Sequence, residues 1–188
     1  SNIISLFILC LGFGLHAEEL KQAQSKNAMV STADIRASQI GVDILKQGGN
    51  AADAAVAVSF AISVLRPQST GIGGGGFALY KNHTDEKVEV YDFRERAPAL
   101  AHRDMYLKDG KVLKGMSRKG ITSAGVPGLV KGVHELHAEH GRLRWEDCVA
   151  PAINLAEEGF IVNADLGESI EAKKELLAKD PQAAKIFD

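Results

Sequence analysis

Arg94 stands in Tyr91-Asp92-Phe93-Arg94-Glu95-Arg96, just past an apolar, alternating stretch. An arginine at such a strand end can grip a carboxylate through two parallel hydrogen bonds, which a lysine cannot reproduce. The same guanidinium can instead join its acidic neighbours in a structural ion-pair cluster, and the local pattern by itself leans that way. Upstream, Gly71-Ile72-Gly73-Gly74-Gly75-Gly76 satisfies G-x-G-x-x-G literally. A dinucleotide site requires a strand before the glycines and a helix after them. Here the order is helix, glycines, strand, and no Lys-Ser/Thr pair comes next to complete a phosphate loop. The run permits close approach, either to a substrate or to another stretch of backbone.

His134, His137 and His140 are spaced three apart, whereas a zinc-protease helix needs two histidines four apart with a Glu after the first. Flanked by Lys131 and Arg142, they read as a solvated helix face. Cys148, in Trp145-Glu146-Asp147-Cys148-Val149-Ala150, lies at a helix start with no histidine nearby in sequence and reads as a small core residue. The hydroxyls of Ser69, Thr70, Thr122 and Ser123 lack the strand-Gly-x-Ser-x-Gly-helix setting of a hydrolase elbow. Residue types and spacing alone supply no acid, base and nucleophile set.

The elements that carry these residues can be read from periodicity. A helical pattern begins at Asp34 and stops at Gly48-Gly49. Asn50 then caps a helix over residues 51–65, whose only charge, Asp53, sits in the first turn where the helix dipole favours an acid. That helix is apolar on every side and is expected to be buried. Strands over 77–80 and 87–91 form an antiparallel hairpin with Val88 and Val90 on one face. Asp109-Gly110 marks a turn. Helices are expected over 129–140, 147–158 with Pro151 near the first turn, and 166–178, with Asp180-Pro181 as a breaker. The order reads as a mixed α/β (α+β) fold that is incomplete by itself, since two strands do not make a self-sufficient sheet.

The 188 residues are 45% hydrophobic and 24% charged with a net charge of −2, an ordinary globular composition. No basic block offers a nucleic-acid surface. Residues 3–15 are an uncharged apolar run before Glu18-Glu19. The run is too short to span a bilayer but suits a secretory signal, so residues 1–17 are expected to be a signal peptide and 18–188 the mature region. The expected location is therefore periplasmic or secreted, with no stable membrane span. Cys148 is then the only cysteine left, which excludes an intrachain disulfide.

Several blocks resemble the gamma-glutamyltranspeptidase family in the family's own order. They are Ala37-Ser38-Gln39 through Gly48-Gly49-Asn50-Ala51-Ala52-Asp53-Ala54-Ala55-Val56-Ala57, Pro67-Gln68-Ser69-Thr70-Gly71-Ile72-Gly73-Gly74-Gly75-Gly76-Phe77, and Asp92-Phe93-Arg94-Glu95-Arg96-Ala97-Pro98. Val126-Pro127-Gly128 and Ala150-Pro151-Ala152-Ile153-Asn154-Leu155-Ala156-Glu157-Glu158-Gly159-Phe160 complete the set.

The resemblance implies the N-terminal portion of an N-terminal-nucleophile hydrolase, an αββα sandwich made as a self-cleaving precursor. It implies γ-glutamyl transfer and hydrolysis of glutathione and related donors, with amino-acid or dipeptide acceptors, through an acyl-enzyme on a small-subunit Thr whose own amine is the base. That Thr is expected beyond Asp188, because Thr32, Thr70, Thr84 and Thr122 do not match it. No metal or organic cofactor is implied, and this portion alone is expected to be inactive. Arg94 matches the family's arginine for the donor α-carboxylate, with Glu95 beside it to help hold it. The glycine run is implied to be a packing element. Alternatives are a related acylase acting on another acyl donor, and a truncated or pseudo-enzyme portion that binds γ-glutamyl ligands or partners without catalysis.

Overall fold

The computed structural model describes residues 23–84 and 86–187; the expected signal peptide at 1–17 lies outside them. Helix α1 (Ile35–Lys46) starts where Asp34 accepts the Arg36 backbone N–H. It ends at Gly48, whose φ of +93° an L side chain would resist. Helix α2 (Ala51–Leu65) opens with a full capping box: Asn50 accepts from Ala52 N and Asp53 N, and Asp53 accepts from Asn50 N.

As its composition requires, α2 is the central helix. Ala52, Val56, Ala57, Ala61 and Leu65 on it are buried, and it packs against α1, α3 (Leu129–His140) and α4 (Trp145–Glu158). Small residues let these helices approach closely. A Cβ on Gly41 would stand 2.8 Å from both Val30 and Val58, so α1 meets α2 at that glycine.

Strands β1 (Phe77–Lys81) and β2 (Val88–Asp92) pair antiparallel, with Leu79 opposite Val90 and Ala78 opposite Tyr91. Alternation sorts the ribbon into two faces. Glu89 and Tyr91 turn towards the end of α3. Phe77, Leu79, Val88 and Val90 turn outward, at 58–74% exposure. Such an apolar face marks a surface that something else covers.

A second, two-residue hairpin pairs β3 (Leu107–Lys108) with β4 (Lys111–Val112) across Asp109-Gly110. Both turn residues have positive φ, as a tight mirror-image turn requires.

Three expectations need correction. The helix expected over 166–178 divides into α5 (Ala164–Glu171) and α6 (Lys174–Leu177). Asn163 caps α5 two residues earlier than expected, and Lys173 leaves helical geometry where two lysines interrupt the apolar spacing. Asp180-Pro181 starts a helix rather than breaking one. In α7 (Pro181–Phe187), Asp180 accepts from Gln182 N and Ala183 N, and proline at the first helical position costs nothing. Helix α4 begins at Trp145, which puts Pro151 in its second turn. Among the described residues no helix is long and apolar enough to cross a membrane.

Candidate functional site

Arg94 lies two residues past β2, and the chain there is held from three sides. Phe93 still exchanges both backbone hydrogen bonds with Gly76, at 3.1 and 3.4 Å. Gly75 lies directly beneath: a Cβ on it would fall 2.5 Å from Phe93 O and 2.8 Å from Glu95 N. Gly74 O then accepts from Gly128 N and Leu129 N at 3.0 Å each, which ties the glycine run to the first turn of α3. On the third side, a Cβ on Gly128 would overlap Phe93 O, and one on Gly132 would overlap the Phe93 ring. The Phe93 side chain packs with the Val56, Val133 and Cys148 cluster. Beyond Glu95, Arg96 and Val126 form a bridge in both directions, at 3.2 and 2.8 Å.

The backbone of Arg94 is therefore fixed while its side chain is exposed. Asp92, the nearest acid before it, accepts the Arg94 backbone N–H at 3.1 Å. Among the described residues no carboxylate lies within ion-pair distance of the Arg94 guanidinium. The ion-pair cluster that the local sequence favoured does not form, and Glu95 does not hold the arginine. Gly74, Gly75 and Gly76 pack against backbone and the Phe93 ring, whereas a Cβ on Gly71 or Gly73 would meet nothing within 4 Å, so close packing accounts for the second half of the run.

The histidine helix also departs from expectation. Of its three histidines, His134 alone is exposed. His137 Nε2 lies 3.2 Å from Asp53 Oδ1 and 3.8 Å from Cys148 Sγ. Asp53 is 0% exposed, and its carboxylate also accepts from Arg142 N and Leu143 N. This trio, with Asp53 and Cys148 buried and His137 partly so, draws one residue each from α2, α3 and α4. Burial, and secondarily the Asp53 carboxylate, push the Cys148 thiol up to about 12, so it stays protonated and inert. Cys148 is thus the small core residue expected, although tertiary packing brings it a histidine.

His140 stacks on Tyr80 with ring centroids 4.0 Å apart. Its Nε2 lies 2.7 Å from Glu89 and 2.8 Å from Tyr91 Oη. Tyr91 Oη also reaches Glu139 at 2.5 Å and Glu89 at 2.9 Å. Hydrogen bonds from His140 and Tyr91 hold the Glu89 carboxyl below its ordinary range. Burial and the two carboxylates raise the Tyr91 phenol. Sequence reasoning passed over this group. Its one signal was the alternation that puts Glu89 and Tyr91 on the same strand face.

The glycine-clasped arginine belongs to the segment that comparison with known proteins recognises. The profile of the gamma-glutamyltranspeptidase family matches residues 37–188. The chain belongs to the gamma-glutamyltranspeptidase family. Glutathione hydrolase 3 of Arabidopsis thaliana is 41% identical over 164 residues, covering 87% of this chain and 25% of the relative. The glutathione hydrolase proenzyme of Bacillus subtilis (strain 168) is 40% identical over 190 residues, covering 94% of this chain and 32% of the relative.

Among solved structures, the gamma-glutamyltranspeptidase of Helicobacter pylori superposes with a TM-score of 0.83 at 35% identity, covering 87% of this chain and 47% of that one. The N-terminal-nucleophile hydrolase fold expected from sequence is thereby shown. The chain spans about a quarter to a third of the length of these two curated relatives.

Proposed function

We propose that the intact protein is a γ-glutamyl hydrolase and transferase acting on glutathione and related γ-glutamyl compounds, and that Arg94 holds the donor's α-carboxylate. The observation that carries this reading is the contrast at Arg94: a rigidly mounted backbone bearing an exposed guanidinium with no intrachain acid among the described residues. An arginine in that state suits a planar carboxylate from outside, bound through two parallel hydrogen bonds. Family membership and the glutathione hydrolase relatives supply the substrate class. The reaction itself needs a nucleophile, which we place on a small-subunit threonine released by self-cleavage of the precursor, with amino acids or dipeptides as acceptors. The outward apolar face of the β1–β2 ribbon supports a further protein layer there, and the proenzyme relative supports the cleavage.

The test is the enzyme expressed from its full reading frame. Arg94→Ala should raise the KM for a γ-glutamyl anilide by roughly tenfold to a hundredfold with a smaller change in kcat, since it removes a charge-assisted bidentate contact. An unchanged KM would refute the assignment, and a full-frame protein that neither cleaves itself nor releases the anilide would refute the activity. Export to the periplasm or exterior is proposed from the apolar run at 3–15, and N-terminal sequencing of the mature protein checks it.

A further inference from the structure

We propose that Tyr91 and His140 are positioning residues for the donor site: with Glu89 and Glu139 they fasten the outgoing end of β2 to the end of α3 and so set where Arg94 stands. The inference rests on the donor reading of Arg94. Strand alternation puts Glu89, Tyr91 and Phe93 on the side facing α3. They meet that helix at two separated points: Phe93 against Gly132 in its first half, and Tyr91 and Glu89 against Glu139 and His140 at its last residues. The first point belongs to the clasp that already holds the Arg94 backbone. The second fastens the strand that leads into that clasp to the far end of the same helix, and so sets the direction from which the chain enters it.

The chemistry of the second point makes it stiff. The single Tyr91 O–H is donated to a carboxylate, with Glu139 the nearer at 2.5 Å. The phenol oxygen lies 2.8 Å from His140 Nε2, which also faces Glu89 at 2.7 Å. A proton on Nε2 therefore serves two acceptors and selects that tautomer. His140 is itself fixed from two other directions, by its stack on Tyr80 and by Asn50 Nδ2, which donates to its backbone carbonyl. None of the four side chains bonds to Arg94, so their influence passes through the backbone of residues 91–94. This is the kind of outer support on which the aim of a binding group depends.

The experiment uses the self-processed enzyme from the full reading frame. Tyr91→Phe keeps the ring and removes the O–H. It should raise the donor KM about fivefold with kcat within about twofold, while in an Arg94→Ala background the same change should move KM by less than about twofold. His140→Phe keeps a ring on Tyr80 and removes Nε2; it should reproduce the pattern, and it decides the matter if Tyr91→Phe yields no processed enzyme. Two results would overturn the inference while leaving Arg94 its role: both variants keep the parent KM although Arg94→Ala raises it, or the effect persists undiminished without Arg94. An Arg94→Ala enzyme with unchanged KM is a separate failure, of the donor reading itself, and takes this inference with it.

Discussion

Asp53 and Arg94 are two charged residues held on rigid backbone, and they are opposites. Asp53 is 0% exposed, and its carboxylate is met by Asn50 N, Arg142 N, Leu143 N and His137. Arg94 is exposed, and only its backbone is held. A buried charge answered on every side is part of the scaffold, because desolvation makes each partner obligatory. A charge on an equally rigid mount that the chain does not answer is free for a ligand. Rigidity is common to both; satisfaction separates them.

The contrast can be broken by substitution. The largest effect is expected at Asp53→Ala, which strands the backbone N–H groups of Asn50, Arg142 and Leu143 and should destabilise the intact precursor by about 4 kcal/mol. The loss would be seen as a lower denaturant midpoint and less self-processed protein; a parental midpoint would remove Asp53 from the scaffold. Gly132→Ala comes next. Its Cβ would overlap the Phe93 ring, and the forced shift should cost roughly 2 kcal/mol while raising the donor KM, because Phe93 precedes Arg94.

Acid should act more weakly, through Asp34. The Arg36 side chain, bonded to the Asp34 carboxylate at 2.6 and 2.9 Å, holds that carboxyl below its ordinary value of 3.8. A depressed folded-state value means that the contribution is complete above the unfolded value and fades as pH falls through the folded one. The gap in midpoint between Arg36→Leu and the parent should therefore narrow as pH falls below the ordinary Asp value of 3.8, leaving the part due to the Arg36 contacts with Ile161 O and the Phe160 ring. A gap that stayed constant from pH 6 to pH 2 would contradict it. Arg94→Ala sits at the small end for stability, within about 0.5 kcal/mol, in contrast to the rise in KM expected of it.

Local chemistry made much of the scaffold legible. The Asn50–Asp53 cap is written in four consecutive residues, and the β1–β2 alternation in ten. The features that escaped were set by partners distant in sequence. Histidines three apart cannot say which helix face is covered, and the covers arrive from Asp53, Tyr80 and Tyr91. The glycine run announced a close approach but not to which neighbour; its partners are Phe93, Glu95 and Gly128. Arg94 looked paired because acids flank it, yet the one before it, Asp92, spends an oxygen on the Arg94 backbone N–H. Asp180-Pro181 was legible but misread, since the same dipeptide ends one helix or begins the next according to the residues on its C-terminal side.

The Asn50–Asp53 turn has a mechanical consequence. Asn50 holds His140 at the last residue of α3, while Arg94 is clasped against the first turn of the same helix. Helix α3 has 12 residues, which makes it a rod about 18 Å long. A tilt of about 3° at the Asn50 end would swing the Arg94 end by roughly 1 Å, enough to matter greatly for a group that positions a substrate. A side chain at the head of α2 can thus steer Arg94 from a helix length away without touching it.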